Sequence, residues 1–269
     1  MGLDEVANMS LPVSVIIPTH NSDETVIRAL ESVHCQTESP AEIIVVDDCS
    51  TDSTVSTVRT FADRHASNIR IIQLDTNIGP SATRNTGWNE ATSEFVAFLD
   101  SDDSWHPDKL KIQTNWMLNN PDRPITGHLT GSLEAAKSDV ELAIRTFSLS
   151  DFLIRNRIST PTVMVRRSIP ERFNSELWYA EDYDLWLQIL ARYKMITRLE
   201  MALTQLHKAD YGQAGLSSHL FPMFRGEISA VRRLRESNHI SPMTALSAQV
   251  WMSLKYVRRK VMTRARRFK

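Results

Sequence analysis

The 269 residues carry 31 Lys and Arg against 32 Asp and Glu, a formal net charge of −1, and 42% of them are apolar. That balance offers no global attraction to nucleic acid, and the apolar content suffices for a real core in one large domain or two small ones. The two cysteines, Cys35 and Cys49, form no Cys-x-x-Cys pair, which argues against a disulfide framework and fits a reducing cytosol.

Charge is unevenly spread. Lys255, Arg258, Arg259, Lys260, Arg264, Arg266, Arg267 and Lys269 close the sequence, with no acid after Glu236. Setting those eight positive charges aside leaves −9 on the rest, an acidic globule with a basic tail. Asp4 and Glu5 precede any apolar run, so no signal-peptide pattern opens the sequence. No stretch approaches the roughly 18 apolar residues of a membrane span. The expectation is a cytoplasmic chain, at most peripheral on the inner face of a membrane. Internal repeats and low-complexity segments are absent.

Val13-Ser14-Val15-Ile16-Ile17 reads as the first strand, ended by Pro18-Thr19-His20-Asn21, since Pro18 cannot donate to a ladder. Residues 23–36 read as a helix whose Val26, Ile27, Leu30 and Val33 share one apolar face. Ile43-Ile44-Val45-Val46 is a second strand and runs into Asp47-Asp48. A second helix places Val55, Val58, Phe61 and Ala62 inward, and 70–74 forms a third strand. Asn77-Ile78-Gly79-Pro80 turns the chain into a helix that holds Arg84 and Trp88.

Phe95-Val96-Ala97-Phe98-Leu99 then runs straight into Asp100-Ser101-Asp102-Asp103. An uninterrupted apolar run of this length fits a strand buried on both faces. Three carboxylates so close repel one another unless a cation sits among them, and Mn²⁺ or Mg²⁺ with their preference for oxygen ligands are suited to that. The alternative is a solvated acidic turn.

Strands alternating with helices imply right-handed crossovers and a mostly parallel sheet with helices on both faces. Ligands of such sheets bind beyond the carboxyl ends of the strands. Thr19-His20-Asn21, Asp47-Asp48 and 100–103 each follow a strand directly, so a parallel sheet gathers all three at one edge. Neither a Gly-x-x-x-x-Gly-Lys-Ser/Thr nor a Gly-x-Gly-x-x-Gly loop occurs. That speaks against an ATPase and a dinucleotide oxidoreductase.

Residues 107–118 read as a helix, 125–129 and 159–166 as strands, and 149–156 as a helix. Residues 180–190 form a clearer helix with Glu181, Asp182 and Asp184 in its first turn, where the helix dipole alone would favour them. Residues 194–199 read as a strand, His207 and 212–218 as loop, 216–236 and 242–269 as helices. Val250, Leu254, Val257, Val261, Ala265 and Phe268 recur every three or four residues among basic side chains. Such a helix suits an anionic membrane surface through 250–269; packing on the domain or on a partner would use the same pattern.

The ordered set Val13-Ser14-Val15-Ile16-Ile17-Pro18-Thr19-His20-Asn21, Glu42-Ile43-Ile44-Val45-Val46-Asp47-Asp48-Cys49-Ser50-Thr51-Asp52, Asn77-Ile78-Gly79-Pro80-Ser81-Ala82-Thr83-Arg84-Asn85, Phe98-Leu99-Asp100-Ser101-Asp102-Asp103 and Glu181-Asp182-Tyr183-Asp184-Leu185-Trp186 resembles the family 2 glycosyltransferases of GT-A fold. The later residues His207-Lys208, Tyr211-Gly212 and Gly215-Leu216-Ser217 are similar to the branch that builds bacterial surface polysaccharides.

The resemblance implies an inverting, metal-dependent transfer from a nucleotide-diphospho-sugar, most often a UDP-sugar, to a hydroxyl of a glycan or lipid-linked acceptor. By position, Pro18, Thr19, His20 and Asn21 would line the base and ribose pocket, and Asp47 or Asp48 would bond the base. Arg84 would approach the nucleotide, Asp100 would lie near the ribose, and Asp102 would coordinate Mn²⁺ or Mg²⁺. Asp182 would be the catalytic base, with Glu181 the second candidate. His207 would reach the metal or diphosphate, or else serve as a loop histidine. It also implies a nucleotide-sugar-binding half over 1–103 and an acceptor-binding half over 104–237; the residue pattern adds a basic amphipathic helix over 238–269.

Two departures bear on this. No Gln-x-x-Arg-Trp run is present, which points to single addition rather than polymerisation, and Leu203-Thr204-Gln205-Leu206 stands where many relatives place Tyr-Arg before the histidine. A Mg²⁺-dependent nucleotidyl or phosphoryl transferase, a phosphoryl-accepting signalling module and a catalytically inactive binding subunit are the competing readings. Of the tryptophans, Trp178 is the candidate for acceptor contact.

Overall fold

The computed structural model of the chain describes residues 10–65, 68–133, 142–207 and 219–266. Lys208, Tyr211-Gly212, Gly215-Leu216-Ser217 and Phe268 lie outside them, as does the side chain of Ala265. The elements are β1 (Leu11–Thr19), α1 (Val26–His34), β2 (Pro40–Asp47), α2 (Thr54–His65), β3 (Ile69–Gln73), α3 (Gly79–Glu90), β4 (Phe95–Phe98), β5 (Ser104–Trp105), α4 (Lys109–Asn119), β6 (Ile125–Thr130), β7 (Ile144–Phe147), α5 (Leu149–Ile154), a 3₁₀ turn (Thr160–Thr162), β8 (Met164–Arg166), α6 (Glu181–Tyr193), β9 (Ile196–Gln205), α7 (Leu220–Glu236) and α8 (Pro242–Arg266).

One nine-stranded sheet runs through the described chain in the order β3-β2-β1-β4-β8-β6-β9-β5, with β7 paired to β9. The first four strands are parallel, as their alternation with helices predicts. Beyond β4 the sheet is mixed: β8 lies antiparallel to β4 and β6, whereas β6 and β9 are parallel.

The apolar strands are buried on both faces because alternate residues feed two cores. Val13, Val15 and Ile17 face one core with α1, α2 and α4, through Leu30, Val33, Phe61 and Leu110. Ile16, Val96 and Phe98 face the other with α3 and α6, through Trp88, Leu185, Trp186 and Ile189. The period of 2 thus makes a three-layer α/β arrangement.

The strand read over 159–166 is only half a strand. Pro161 lacks an N–H for the ladder, so Thr160–Thr162 curl into the 3₁₀ turn before β8 begins. The Pro161 carbonyl instead accepts the Trp105 indole at 2.7 Å and the Thr204 hydroxyl at 3.1 Å. β5 and β7 have no counterpart in the sequence reading. β9 extends six residues past the 194–199 reading, to Gln205, and pairs there with β5. That pairing, Ser104 opposite Gln205, carries His207 to the acidic turn after β4.

Candidate active site

Parallel pairing sets Thr19 opposite Asp47 and brings the ends of β1, β2 and β4 to one edge. Thr19 and Asp47 are 2% exposed and Asp48 5%. Both carboxylates already serve the protein. Asp47 accepts the Thr19 hydroxyl at 3.1 Å and the Ser50 backbone N–H at 3.0 Å. Asp48 accepts the N–H groups of Ile78 at 2.7 Å and Gly79 at 2.9 Å, so it stands at the positive end of α3. His20 and Asn21 are exposed on the rim, and Pro18 is half-buried behind them. His20 Nδ1 donates to the Asp48 carbonyl at 2.7 Å. The Asn21 N–H donates to Ser50 Oγ at 2.9 Å and its Oδ1 accepts the Thr51 N–H at 2.9 Å, lacing the loops after β1 and β2 into one wall.

Arg84, on α3, points across this edge. Its guanidinium donates to Asp100 Oδ1 and to Glu181 Oε1, each at 2.8 Å, with the arginine side chain only 7% exposed. Burial works against its charge, but the two carboxylates outweigh burial and hold it protonated beyond its already high affinity. Arg84 therefore ties the acidic turn after β4 to the first turn of α6.

Asp182 is the next residue on that turn. Its Oδ1 accepts the Tyr183 N–H at 2.6 Å and its Oδ2 accepts the Asn156 amide at 3.1 Å. Its carboxyl is pushed up to about 7, first by desolvation and then by the charge of Glu181; the Tyr183 N–H, Arg84 and Asn156 pull the other way. Such a group exchanges a proton near neutral pH, as a general base must.

The third corner is the turn itself. Ser101 Oγ donates to Ser22 Oγ at 2.9 Å, and Arg28 of α1 donates to the Asp102 carbonyl at 2.7 Å. The His207 N–H donates to Asp103 Oδ1 at 3.3 Å, and its Nε2 lies 2.8 Å from Ser104 Oγ. Desolvation, then Arg28, lowers the proton affinity of His207, against the pull of Asp102, which favours the neutral, ligating form of the ring. Asp102, Asp103 and His207 belong to this turn and to the residue that bonds it, and carboxylate oxygens and an imidazole nitrogen are donor types that Mn²⁺ or Mg²⁺ accepts. Among the described residues no three His, Cys, Asp or Glu side chains yet stand together as a formed metal cage.

Backbone strain gathers here. Five described non-glycine residues have positive φ; Lys194 and Asn238 follow helices, while Asn21 (48°), Cys49 (60°) and Ala180 (56°) directly adjoin the candidate residues. Ala180 is clamped from behind by α7, where a Cβ on Gly226 would fall 2.3 Å from the Tyr179 carbonyl oxygen. Gly79, at φ +84°, leaves room for the Trp178 ring, whose Cε2 would lie 2.9 Å from a Cβ there. Trp178 is 45% exposed and stands between α3 and the start of α6. Asn85 fixes the same segment by donating to the Phe173 carbonyl at 2.7 Å and accepting its N–H at 3.1 Å.

The ends of β1, β2 and β4 therefore place Pro18, Thr19, His20, Asn21, Asp47, Asp48, Asp100 and Asp102 at one edge of the sheet; Arg84 bonds Asp100 and Glu181, the neighbour of Asp182, and His207 reaches the acidic turn through Asp103 and Ser104. Sequence reasoning missed Asn156, Arg28 and Gly226. Nothing local marks them, because each acts on a residue more than 25 positions away.

The chain matches the family model for Glycosyl transferase family 2 over residues 14–164. It is 33% identical over 182 residues to the UDP-Glc:alpha-D-GlcNAc-diphosphoundecaprenol beta-1,3-glucosyltransferase WfgD of Escherichia coli, covering 66% of this chain and 69% of that protein. The crystal structure of Staphylococcus aureus TarS 1-349 with UDP-GlcNAc superposes at a TM-score of 0.66 and 25% identity, covering 84% of this chain and 66% of that one. The mannosyltransferase PcManGT from Pyrobaculum calidifontis, solved with GDP-Man and Mn²⁺, superposes at 0.69 over 92% of this chain and 71% of that one; at 18% identity it speaks for the fold alone.

Proposed function

The chain belongs to glycosyltransferase family 2 and has the GT-A fold, and on that premise we propose that it moves a sugar, with inversion, from a UDP-sugar to a hydroxyl of a glycan or lipid-linked acceptor in surface-polysaccharide synthesis. The observation that carries this reading is the Arg84 bridge. It fastens Glu181 to the turn after β4 and so sets the next residue, Asp182, whose carboxyl is pushed up to about 7, beside the strand-end edge where the donor would lie.

In the proposed reaction the acceptor oxygen bonds to the anomeric carbon as the carbon–oxygen bond to the diphosphate breaks, and the hydroxyl proton passes to Asp182. Asn156 and the Tyr183 N–H orient that carboxylate for the transfer. Thr19, His20, Asn21 and the Asp47-Asp48 pair shape the nucleoside pocket, and Asp100 stands at its ribose side, steadied by Arg84. Trp178 offers an apolar face for the acceptor sugar. Asp102, with His207 beside it, would hold the divalent cation, which when bound neutralises charge on the leaving diphosphate. In this reading 1–103 serve the donor and 104–237 the acceptor. A lipid-linked acceptor puts the work of the enzyme at a membrane surface.

The test is a thermal-shift series with UDP, GDP and ADP, each with and without Mn²⁺. A rise with UDP that requires Mn²⁺ and disappears in Asp102→Ala is expected. A folded protein that no nucleotide stabilises would overturn the reading. Product anomer configuration by NMR then tests inversion.

A further inference from the structure

Helix α8 has two faces of different character. Ala245, Ala248 and Met252 are buried in the core shared with α5, α6 and α7. The same side is fastened by polar contacts. The Trp251 indole and the Lys255 ammonium donate to the Ile154 carbonyl at 2.9 and 3.1 Å, and Arg259 pairs with Glu227 at 3.3 Å. The outward side carries Met243, Leu246, Val250, Leu254, Val257 and Val261, between 52% and 73% exposed. At 3.6 residues per turn, these positions form one continuous stripe. Arg258 and Lys260 are exposed along its two borders. The helix has no acidic residue in its 25 positions.

We propose that this stripe lies in the plane of an anionic lipid surface, with its six apolar side chains in the acyl boundary and Arg258 and Lys260 at the headgroups. The stripe from Met243 to Val261 runs about 27 Å along the helix at 1.5 Å per residue, and an apolar stripe of that extent is uncommon on a face meant only for water. Charge selects the occupant. A second copy laid parallel, stripe to stripe, would set Arg258 and Lys260 of both chains together, and in either direction α8 has no acid to answer them. An anionic bilayer offers apolar depth and negative charge in the same place, which is what an interfacial helix uses. No described helix is long and apolar enough to cross a membrane, so α8 rests on the surface rather than spanning it.

The experiment is co-sedimentation of the full chain with vesicles of phosphatidylcholine alone and of phosphatidylcholine with phosphatidylglycerol. Two variants accompany it, Leu254→Glu/Val257→Glu on the stripe and Arg258→Glu/Lys260→Glu on its borders. All four side chains are exposed, and thermal melts check that the variants fold. The wild type is expected to pellet with the anionic vesicles only, and each variant to lose about ten-fold or more of that partition. Three results would overturn the proposal. One is a wild type that stays in the supernatant. Another is binding retained by Leu254→Glu/Val257→Glu, which would make the tail merely cationic. The third is a concentration-dependent dimer that this variant dissolves, with no vesicle binding. No sugar donor enters the assay, so its outcome is independent of the transferase reading.

Discussion

Arg84 Nη1 lies 2.8 Å from Glu181 Oε1, across 97 residues of chain, and the same guanidinium holds Asp100. Replacing Arg84 by Met would leave two carboxylates facing each other without their cation. Removing one partner of a buried pair costs on the order of 3 kcal/mol, so Arg84→Met should melt well below the wild type and lose transfer. Arg84→Lys should fold better but remain impaired, since one ammonium cannot reproduce a two-pronged guanidinium bridge. Equal activity of Arg84→Lys and wild type would show the bridge to be dispensable.

The carboxyl of Asp182, raised to about 7, sets the sign of two pH effects. Transfer needs the ionised base, so kcat/KM should fall on the acid side with an inflection near pH 7. Stability runs the other way. Because the folded protein holds this proton more tightly than the unfolded chain, the contribution is complete below about pH 4 and is lost as pH rises through about 7. Asp182→Asn should therefore abolish transfer yet melt higher than wild type above pH 7, with the gap closing toward pH 4. A gap that widens in acid contradicts the assignment.

Asn156 donates to Asp182 Oδ2 and so favours its ionised form. A hydrogen bond to a charged group is worth about 1.5–3 kcal/mol, and one pKa unit is about 1.4 kcal/mol. Asn156→Leu should thus move the acid limb of the rate profile up by about one unit or more. Activity lost at pH 7 should largely return at higher pH. A uniform loss at every pH would make Asn156 structural only.

Gly226 gives α7 its approach to the Tyr179–Ala180 backbone. In Gly226→Ala the new methyl meets a carbonyl rather than a side chain that can swing away. Overpacking of this kind costs about 1–3 kcal/mol. The start of α6 must shift, so kcat should drop more than nucleotide affinity does. An unchanged kcat with a lowered melting temperature would separate the clamp from the candidate base.

Much of this site is visible in the sequence because the edge of a parallel sheet collects whatever follows its strands. Apolar runs mark β1, β2 and β4, and the polar residues after them fall together by topology alone. Asp182 is visible as a first-turn acid. Its proton affinity is not, since that depends on burial, Glu181, Arg84 and an asparagine 26 positions upstream. β5 escapes notice because two residues, Ser104–Trp105, carry no periodicity. β7 escapes because most of Ile144–Phe147 is exposed and lacks alternation.

The basic terminal helix shows the same division. Its apolar recurrence through Val250, Leu254, Val257 and Val261 is written in the sequence, but which side packs is not. The fold buries Ala245, Ala248 and Met252, small or pliant side chains that let α8 sit close, and turns the larger stripe outward.

Sequence alone determined the α/β alternation, the polar and acidic residues after β1, β2 and β4 and the two-faced terminal helix, because these follow from hydrophobic period and chain direction. Only the tertiary structure decided that Arg84 would bridge Asp100 to Glu181, that Asp48 would cap α3, and that α8 would leave its stripe free. Those are contacts between distant segments, fixed by how three layers pack and by which charges the packing removes from water.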